Sequence, residues 1–304
     1  MSTIAPTVSE FEVDVATALP FGDERNWISA AIYEPEGEPR AVLVVWPGGS
    51  YDRRYWTWDA LPGYDFASWA AARGFAVVAA DHLGVGRSSK PAAVDEVNFV
   101  TMAAAADRFV AAVRARFGDG TPIVGVGHSL GGALTVVAQA EHRTYDRIGV
   151  LGMTHGAKGS VTGGVGEGAE ARAAALQQAP TFLEDFEAGY AIGYRKENHS
   201  WLYFEDTPAA VKAADDATAA AWPRQAYVDG LTVGYSAEFA ARVESPVFLA
   251  FGDHDIPEEP RDDVAFYRAS DDITLLVLAD AAHCHTFAST REVLWDRLVG
   301  WAID

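Results

Sequence analysis

Cysteine and positive charge are what this chain has least of. A single cysteine, Cys284, in 304 residues excludes an internal disulfide framework and a zinc site built on cysteines. It fits a reducing compartment, and a cytoplasmic protein is expected. Lysine and arginine number 23 against 43 aspartates and glutamates, a formal net charge of −20. A chain this acidic repels phosphate backbones, which argues against nucleic acid as a partner. The acids are dispersed, in clusters no larger than Glu184–Asp185 and Asp262–Asp263, and read as a solvated surface. No apolar run approaches the roughly 18 residues of a membrane span. Met1 to Glu12 holds neither a basic segment nor an apolar core, so no secretory signal is expected. Internal repeats and long low-complexity tracts are also missing.

What is present is an alternation of strand-like and helix-like runs. Phe11–Val15 and Ile28–Tyr33 read as early, partly exposed strands. Ala41–Trp46, Phe75–Ala80, Pro122–Gly127, Ile148–Met153, Pro246–Phe251 and Ile273–Leu278 are continuous apolar runs, as expected of strands covered on both faces. Between them, helices are expected over Tyr64–Arg73, Asn98–Phe117, Leu130–His142, near Asp262–Ala269 and over Thr290–Ala302. This order predicts an α/β fold, a mostly parallel central sheet flanked by helices. From about Gly156 to Gly234 the rhythm breaks. A glycine-rich segment leads into Ala-rich, helix-like pieces with many aromatics, among them Phe182, Tyr190, Tyr194, Trp201, Trp222 and Tyr227. The expected organisation is therefore a core of residues 1–153 and 236–304 with an inserted, mainly helical cap over 154–235. Most cap aromatics build its own core, and a few are expected to face a pocket.

Gly127-His128-Ser129-Leu130-Gly131 matches G-x-S-x-G, with Gly132 following. It leaves one buried strand and enters a helix. That context makes Ser129 the candidate nucleophile, exposed at the apex of a strained turn whose flanking glycines permit close backbone packing. A serine hydroxyl is a weak nucleophile and needs a base oriented by a third group. An acid and then a histidine should follow the serine along the chain. After Pro246–Phe251 comes Gly252-Asp253-His254-Asp255, where Asp255 is the expected acid and Asp253 the runner-up, with turn capping as its other role. After Ile273–Leu278 come His283 and His285. His283 is the expected base, which leaves His285 as a supporting donor or a helix-start residue. His128 is expected to pack or orient beside the serine. A His-x-His pair also raises a metal site, but no carboxylate–histidine cluster stands beside it in the sequence.

Acyl transfer needs two preorganised N–H donors for the oxyanion. Leu130, just after the nucleophile, supplies one. The loop Trp46-Pro47-Gly48-Gly49-Ser50-Tyr51 supplies the other, assigned to Ser50 with Gly49 as the alternative.

Taken together, PGGSYDRRYW, DHLGVGRSS, GHSLGG, FGDHD and AHCHTF, in this order, resemble the α/β-hydrolase superfamily over roughly residues 25–153 and 240–304. The resemblance implies that Asp81–Ser89 is a mainly structural loop. Many members have His-Gly where this chain has Pro47-Gly48, a departure that touches the shape of the oxyanion loop and not the triad. The implied activity is hydrolysis of a carboxylic ester, lactone or thioester through an acyl-enzyme on Ser129, with a small, apolar or aromatic substrate. Carbon–carbon bond hydrolysis, amide hydrolysis, acyl transfer and lyase chemistry run on the same fold. A non-catalytic binding relative would have no need of Ser129, Asp255 and His283 together. Serine at 129 argues against dehalogenases and epoxide hydrolases, which use a carboxylate. No cofactor or metal is expected. The segment 156–168 lacks the Gly-Lys-Ser/Thr ending of a phosphate loop. Monomer and homodimer both stay open.

Overall fold

A computed structural model describes residues 5–21, 24–156, 170, 172–177 and 183–304. The strands are β1 (Thr7–Asp14), β2 (Trp27–Glu34), β3 (Val42–Trp46), β4 (Ala76–Ala80), β5 (Ile123–His128), β6 (Arg147–Leu151), β7 (Leu183–Glu187), β8 (Tyr190–Gly193), β9 (Trp222–Pro223), β10 (Val247–Gly252) and β11 (Ile273–Leu278). Eight of them form the central sheet in the order β1-β2-β4-β3-β5-β6-β10-β11. β1 runs antiparallel to β2, and β2 antiparallel to β4; every other pairing is parallel.

The apolar runs form central strands because alternate side chains enter two different cores. Val42, Val44 and Trp46 of β3 belong to the cluster on one face, Leu43 and Val45 to the cluster on the other. Each fully buried side chain of this size contributes roughly 1.5–3 kcal/mol. Helices cover both faces. α1 (Phe66–Ala71) begins at Asp65, whose carboxylate accepts from Ser68 N–H. α2 (Phe99–Phe117) begins with a capping box between Asn98 and Thr101. Phe109 and Val113 of α2 and Leu134 and Val137 of α3 (Leu130–His142) pack into the first cluster.

Between β6 and β10 the described residues include α4 (Ala209–Asp216) and α5 (Arg224–Leu231). They also include a three-stranded antiparallel sheet, β7-β8-β9, which the sequence did not signal. Its strands are short, two to five residues, too short for an alternating pattern to register. The glycine-rich stretch from 157 to 168 and the aromatic Phe182 lie outside the described residues. Near 262–269 the chain forms a 3₁₀ turn, Pro260–Phe266, instead of the expected helix. The turn is pinned at Asp263, which is buried and accepts the His155 N–H, so it does not lay down an amphipathic face. The closing helix is α6 (Arg291–Trp301); its Trp295 and Leu298, with Phe66 and Ala70 of α1, fill the second cluster. Among the described residues no helix is long and apolar enough to cross a membrane.

Candidate functional site

Every candidate residue lies at the carboxyl-terminal edge of the parallel strands, where open α/β sheets form their ligand crevice. Pro47 to Tyr51 follow β3, Asp81 follows β4, Ser129 follows β5, Asp255 follows β10 and His283 follows β11.

β5 runs straight into the turn at Ser129, which stands at φ 52° and ψ −122°. A non-glycine residue there is strained and persists only if its surroundings over-determine it. They do so through backbone bonds: Ser129 N–H donates to Leu151 O (2.8 Å), and Ser129 O accepts from Ala133 N–H (3.1 Å). The glycines are demanded by contact. A Cβ on Gly127 would lie 2.2 Å from Gly131 O, and one on Gly131 would lie 2.4 Å from Pro47 O. The turn is thus wedged between the start of α3 and the loop after β3. Among the described residues, the amides of Leu130, Gly49 and Ser50 donate to no protein acceptor, which leaves them available at the head of the crevice.

His283 is buried, and its Nδ1 lies 2.7 Å from Asp255 Oδ1. The second oxygen, Oδ2, lies 2.9 Å from His285 Nε2. One carboxylate therefore meets both histidines: His283 presents Nδ1–H to it, while His285 Nε2 also receives the Gly252 N–H at 3.1 Å. Burial pushes the Asp255 carboxyl up, but the two histidines outweigh it and hold its pKa well below the ordinary carboxylate range. His283 is left with Nε2 as its basic nitrogen. Ser129 and His283 line the same cavity. Among the described residues no hydrogen bond yet joins them, a separation common in unliganded sites. Asp253 goes elsewhere: it accepts from Asp280 N–H and Ala281 N–H (3.1 Å each) and pairs with exposed His254, so it caps the loop that leads to His283. His128 lines the cavity too, but its ring is engaged on the base loop. Its Nε2 lies 2.8 Å from His283 O, and its ring stacks on Tyr55 at 4.6 Å. Burial drives its pKa well below the ordinary histidine value, so it is the neutral donor that fixes the His283 backbone.

The Asp81–Ser89 loop is structural in its bonding. Asp81 takes Arg53 N–H on one oxygen (2.8 Å) and Arg87 N–H on the other (2.9 Å), and Ser88 Oγ donates to Asp81 O. Its His82 stacks on Trp46 and bonds through Nε2 to Pro47 O (2.9 Å). A histidine thus does support the loop after β3, although it comes from the neighbouring strand.

Ser50 is buried at φ 62° and is gripped from the β6–β10 segment. Its Oγ accepts from Gly193 N–H (2.6 Å) and bonds the hydroxyl of Tyr227. Burial pushes the Tyr227 pKa up to about 12, which keeps that hydroxyl protonated. Ser50 O accepts from Ala220 N–H (2.9 Å) and from Arg195 Nη2. Arg195 in turn stacks on Tyr51 at 3.8 Å and pairs with buried Asp215, whose carboxylate also takes the hydroxyls of Tyr51 and Tyr203. In the sequence Tyr227 stands out only as one aromatic among many, and Arg195 and Asp215 do not stand out at all. Their partners lie far off in the chain, and neither motif nor periodicity signals them.

The empty space of the cavity, its open mouth included, is about 850 Å³. Its walls above Ser129 are Leu183, Tyr194, Trp201, Leu231 and Ile256. The Trp201 ring lies 5.0 Å from the His283 ring. Asn198, also in the wall, is spent on Tyr194 O and Trp201 Nε1. Among the described residues, no group of three or more histidines, cysteines or acids is placed to hold a metal ion.

Against known proteins, a family model described as "Alpha/beta hydrolase family" matches residues 42–296. No curated protein matches the sequence significantly. Solved structures with similar folds include a thermophilic esterase from Thermogutta terrifontis (17% identity, TM-score 0.69, 96% of this chain and 97% of that one). A thioesterase domain from the curacin biosynthetic pathway is 18% identical with a TM-score of 0.61, over 97% of this chain and 99% of the other. The enol-lactonase from Burkholderia xenovorans is 15% identical with a TM-score of 0.63, over 92% and 97%.

Proposed function

The chain belongs to the alpha/beta hydrolase family, and from that premise we propose that it is a serine hydrolase cleaving a carboxylic ester, lactone or thioester through an acyl-enzyme on Ser129. The observation that carries this reading is the His283–Asp255 pair, buried at 2.7 Å and facing the cavity that also holds Ser129 at the apex of its strained turn. The names of the similar structures, esterase, thioesterase and enol-lactonase, agree with that class of bond.

In the proposed mechanism the His283 Nε2 lone pair takes the Ser129 hydroxyl proton as Oγ attacks the acyl carbon. The carbonyl electrons move onto oxygen, where the Leu130 amide and that of Ser50, or of its neighbour Gly49, receive the charge. Collapse breaks the bond to the leaving alcohol or thiol, which takes the proton from His283. A water, deprotonated by His283, then attacks the acyl-enzyme and releases the acid and Ser129. Asp255 keeps His283 in one tautomer and offsets its charge throughout.

Residues 154–235 act as the cap over this site. Its apolar and aromatic walls, with Asn198 and Arg195 engaged internally, favour an apolar acyl or alcohol group of moderate size. A fluorophosphonate probe tests the chemistry: it labels Ser129 in the wild type and not in Ser129→Ala. A folded, unreactive wild type overturns the reading. A panel of p-nitrophenyl esters tests the substrate: apolar and aromatic acyl groups are hydrolysed best, and a strong preference for charged or sugar-like esters defeats that part.

A further inference from the structure

We propose that the cap is part of the oxyanion hole, with Tyr227 and Arg195 as positioning residues that hold Ser50 in its left-handed conformation and so aim the amides of the loop after β3. This rests on the hydrolase reading above and extends it.

Among the described residues four hydrogen bonds reach Ser50, and all four come from residues 193–227. Gly193 N–H and the Tyr227 hydroxyl fix Oγ; Ala220 N–H and Arg195 fix the carbonyl oxygen. Only the Ser50 amide is left unbonded, and it faces the crevice with its neighbour Gly49. Ser50 sits at φ 62°, a region that residues other than glycine rarely occupy. The loop closes a β-turn of its own around Gly49 and Ser50, whose third position takes a positive φ in one turn type, and the cap bonds fix what that turn leaves free. Its one internal bond, Tyr51 N–H to Gly48 O at 3.1 Å, spans the residue without holding its side chain or carbonyl.

Contact reinforces the hydrogen bonds. A Cβ on Gly49 would meet Leu130 Cδ1 at 2.7 Å and the Tyr227 ring at 2.9 Å, so the loop is pressed between the start of α3 and the cap. The cap also holds the base loop: His283 N–H donates to Trp201 O (3.2 Å), and Cys284 N–H to Leu202 O (2.8 Å). Both loops that must be aligned for acyl transfer are therefore tied to the cap. A hydrogen-bond donor aimed in advance is worth more in the transition state than in the bound substrate. Loosening Ser50 should then lower kcat and leave KM nearly unchanged.

The experiment compares wild type, Tyr227→Phe, Ser50→Ala and the double variant, by the rate of fluorophosphonate labelling and by kcat and KM on one p-nitrophenyl ester. Phenylalanine keeps the apolar cavity wall and removes only the hydroxyl. Removing one oxyanion donor costs about 10²–10³-fold, so misaiming one should cost roughly tenfold in kcat and in labelling rate, with KM within about twofold. Ser50→Ala carries the same expectation and stands alone if Tyr227→Phe does not fold. In the Ser50→Ala background, Tyr227→Phe should add nothing, because both act through Ser50 Oγ. Wild-type kcat in the single variants, a loss confined to KM, or losses that multiply in the double variant overturn the inference while leaving Ser129 as the nucleophile. A wild type that the probe does not label overturns the hydrolase reading and this inference together.

Discussion

At the scale of single residues, the site turns on two histidines competing for one carboxylate. In the sequence His283 and His285 are two positions apart and chemically alike. In space they divide Asp255 between them, Oδ1 to one and Oδ2 to the other. Only His283 also lines the cavity with Ser129. The two are thus expected to differ sharply on substitution. His283→Phe should lower kcat by about 10⁶-fold, since losing one member of a triad costs nearly as much as losing all of it. His285→Phe removes the Nε2 contacts with Asp255 Oδ2 and the Gly252 N–H, worth about 1.5–3 kcal/mol, and should cost roughly 10- to 100-fold. Steady-state kinetics on one ester separates them, and equal losses would mean that the base is not His283 alone. Asp253 and Asp255 both stand close to the strand end in the sequence. Only the fold shows that Asp253 bonds the amides of Asp280 and Ala281 and does not reach His283.

At the scale of elements, the strand–turn–helix unit around Ser129 carries the tightest constraints. Gly127 at the end of β5 tolerates no side chain, because its Cβ would penetrate the Gly131 carbonyl. Overpacking of this severity costs about 3 kcal/mol or more. Gly127→Ala is expected to lower the urea midpoint strongly and to abolish labelling of Ser129 even where the protein still folds. A variant of wild-type stability and reactivity would show that the turn is looser than its contacts imply. This unit was legible in the sequence because its signals are local: a buried strand, a glycine pattern and an apolar helix-like run within 20 residues. The small β7-β8-β9 sheet was not legible. Its β8–β9 pairing joins Tyr190 to Pro223 across a long stretch of chain, and no strand in it exceeds five residues.

At the scale of the whole molecule, burial has trapped histidines in the neutral form. The His82 pKa is lowered to about 3 by burial, against an ordinary 6.5, and that of His128 is lowered well below its ordinary value. A lowered histidine pKa contributes stability above pH 6.5. That stability is lost as the pH falls, because only the unfolded chain takes up the proton. From pH 6.5 to 4.5 His82 alone should cost about 2 kcal/mol, somewhat less than two full units at 1.36 kcal/mol each because the unfolded histidine is half protonated at the start. Asp81 works in the opposite direction: burial raises its pKa to about 6, so its share of stability grows as the pH falls through 6. Asp255, with its depressed pKa, loses its share only below the ordinary carboxylate range. His82→Gln keeps a donor for Pro47 O and should flatten the decline of urea-unfolding stability between pH 6.5 and 4.5 by about 2 kcal/mol. Parallel curves for variant and wild type would rule out His82 as a source of acid sensitivity.

The chain by itself determined the α/β order of its strands and helices, because continuous apolar runs can be buried only in a sheet covered on both faces. It also determined that Ser129 stands on a glycine-flanked turn, and that an acid and a histidine follow it after the last two strands. Only the tertiary structure decided which acid meets which histidine, that one carboxylate serves two, and that Ser50 is held from Gly193, Arg195, Ala220 and Tyr227. The physical reason is reach. Hydrophobic periodicity and turn chemistry act over a few residues and are written in order along the chain. A hydrogen bond between Ser50 and Tyr227 spans 177 positions and exists only once both cores have formed and brought the segment between β6 and β10 onto the sheet edge.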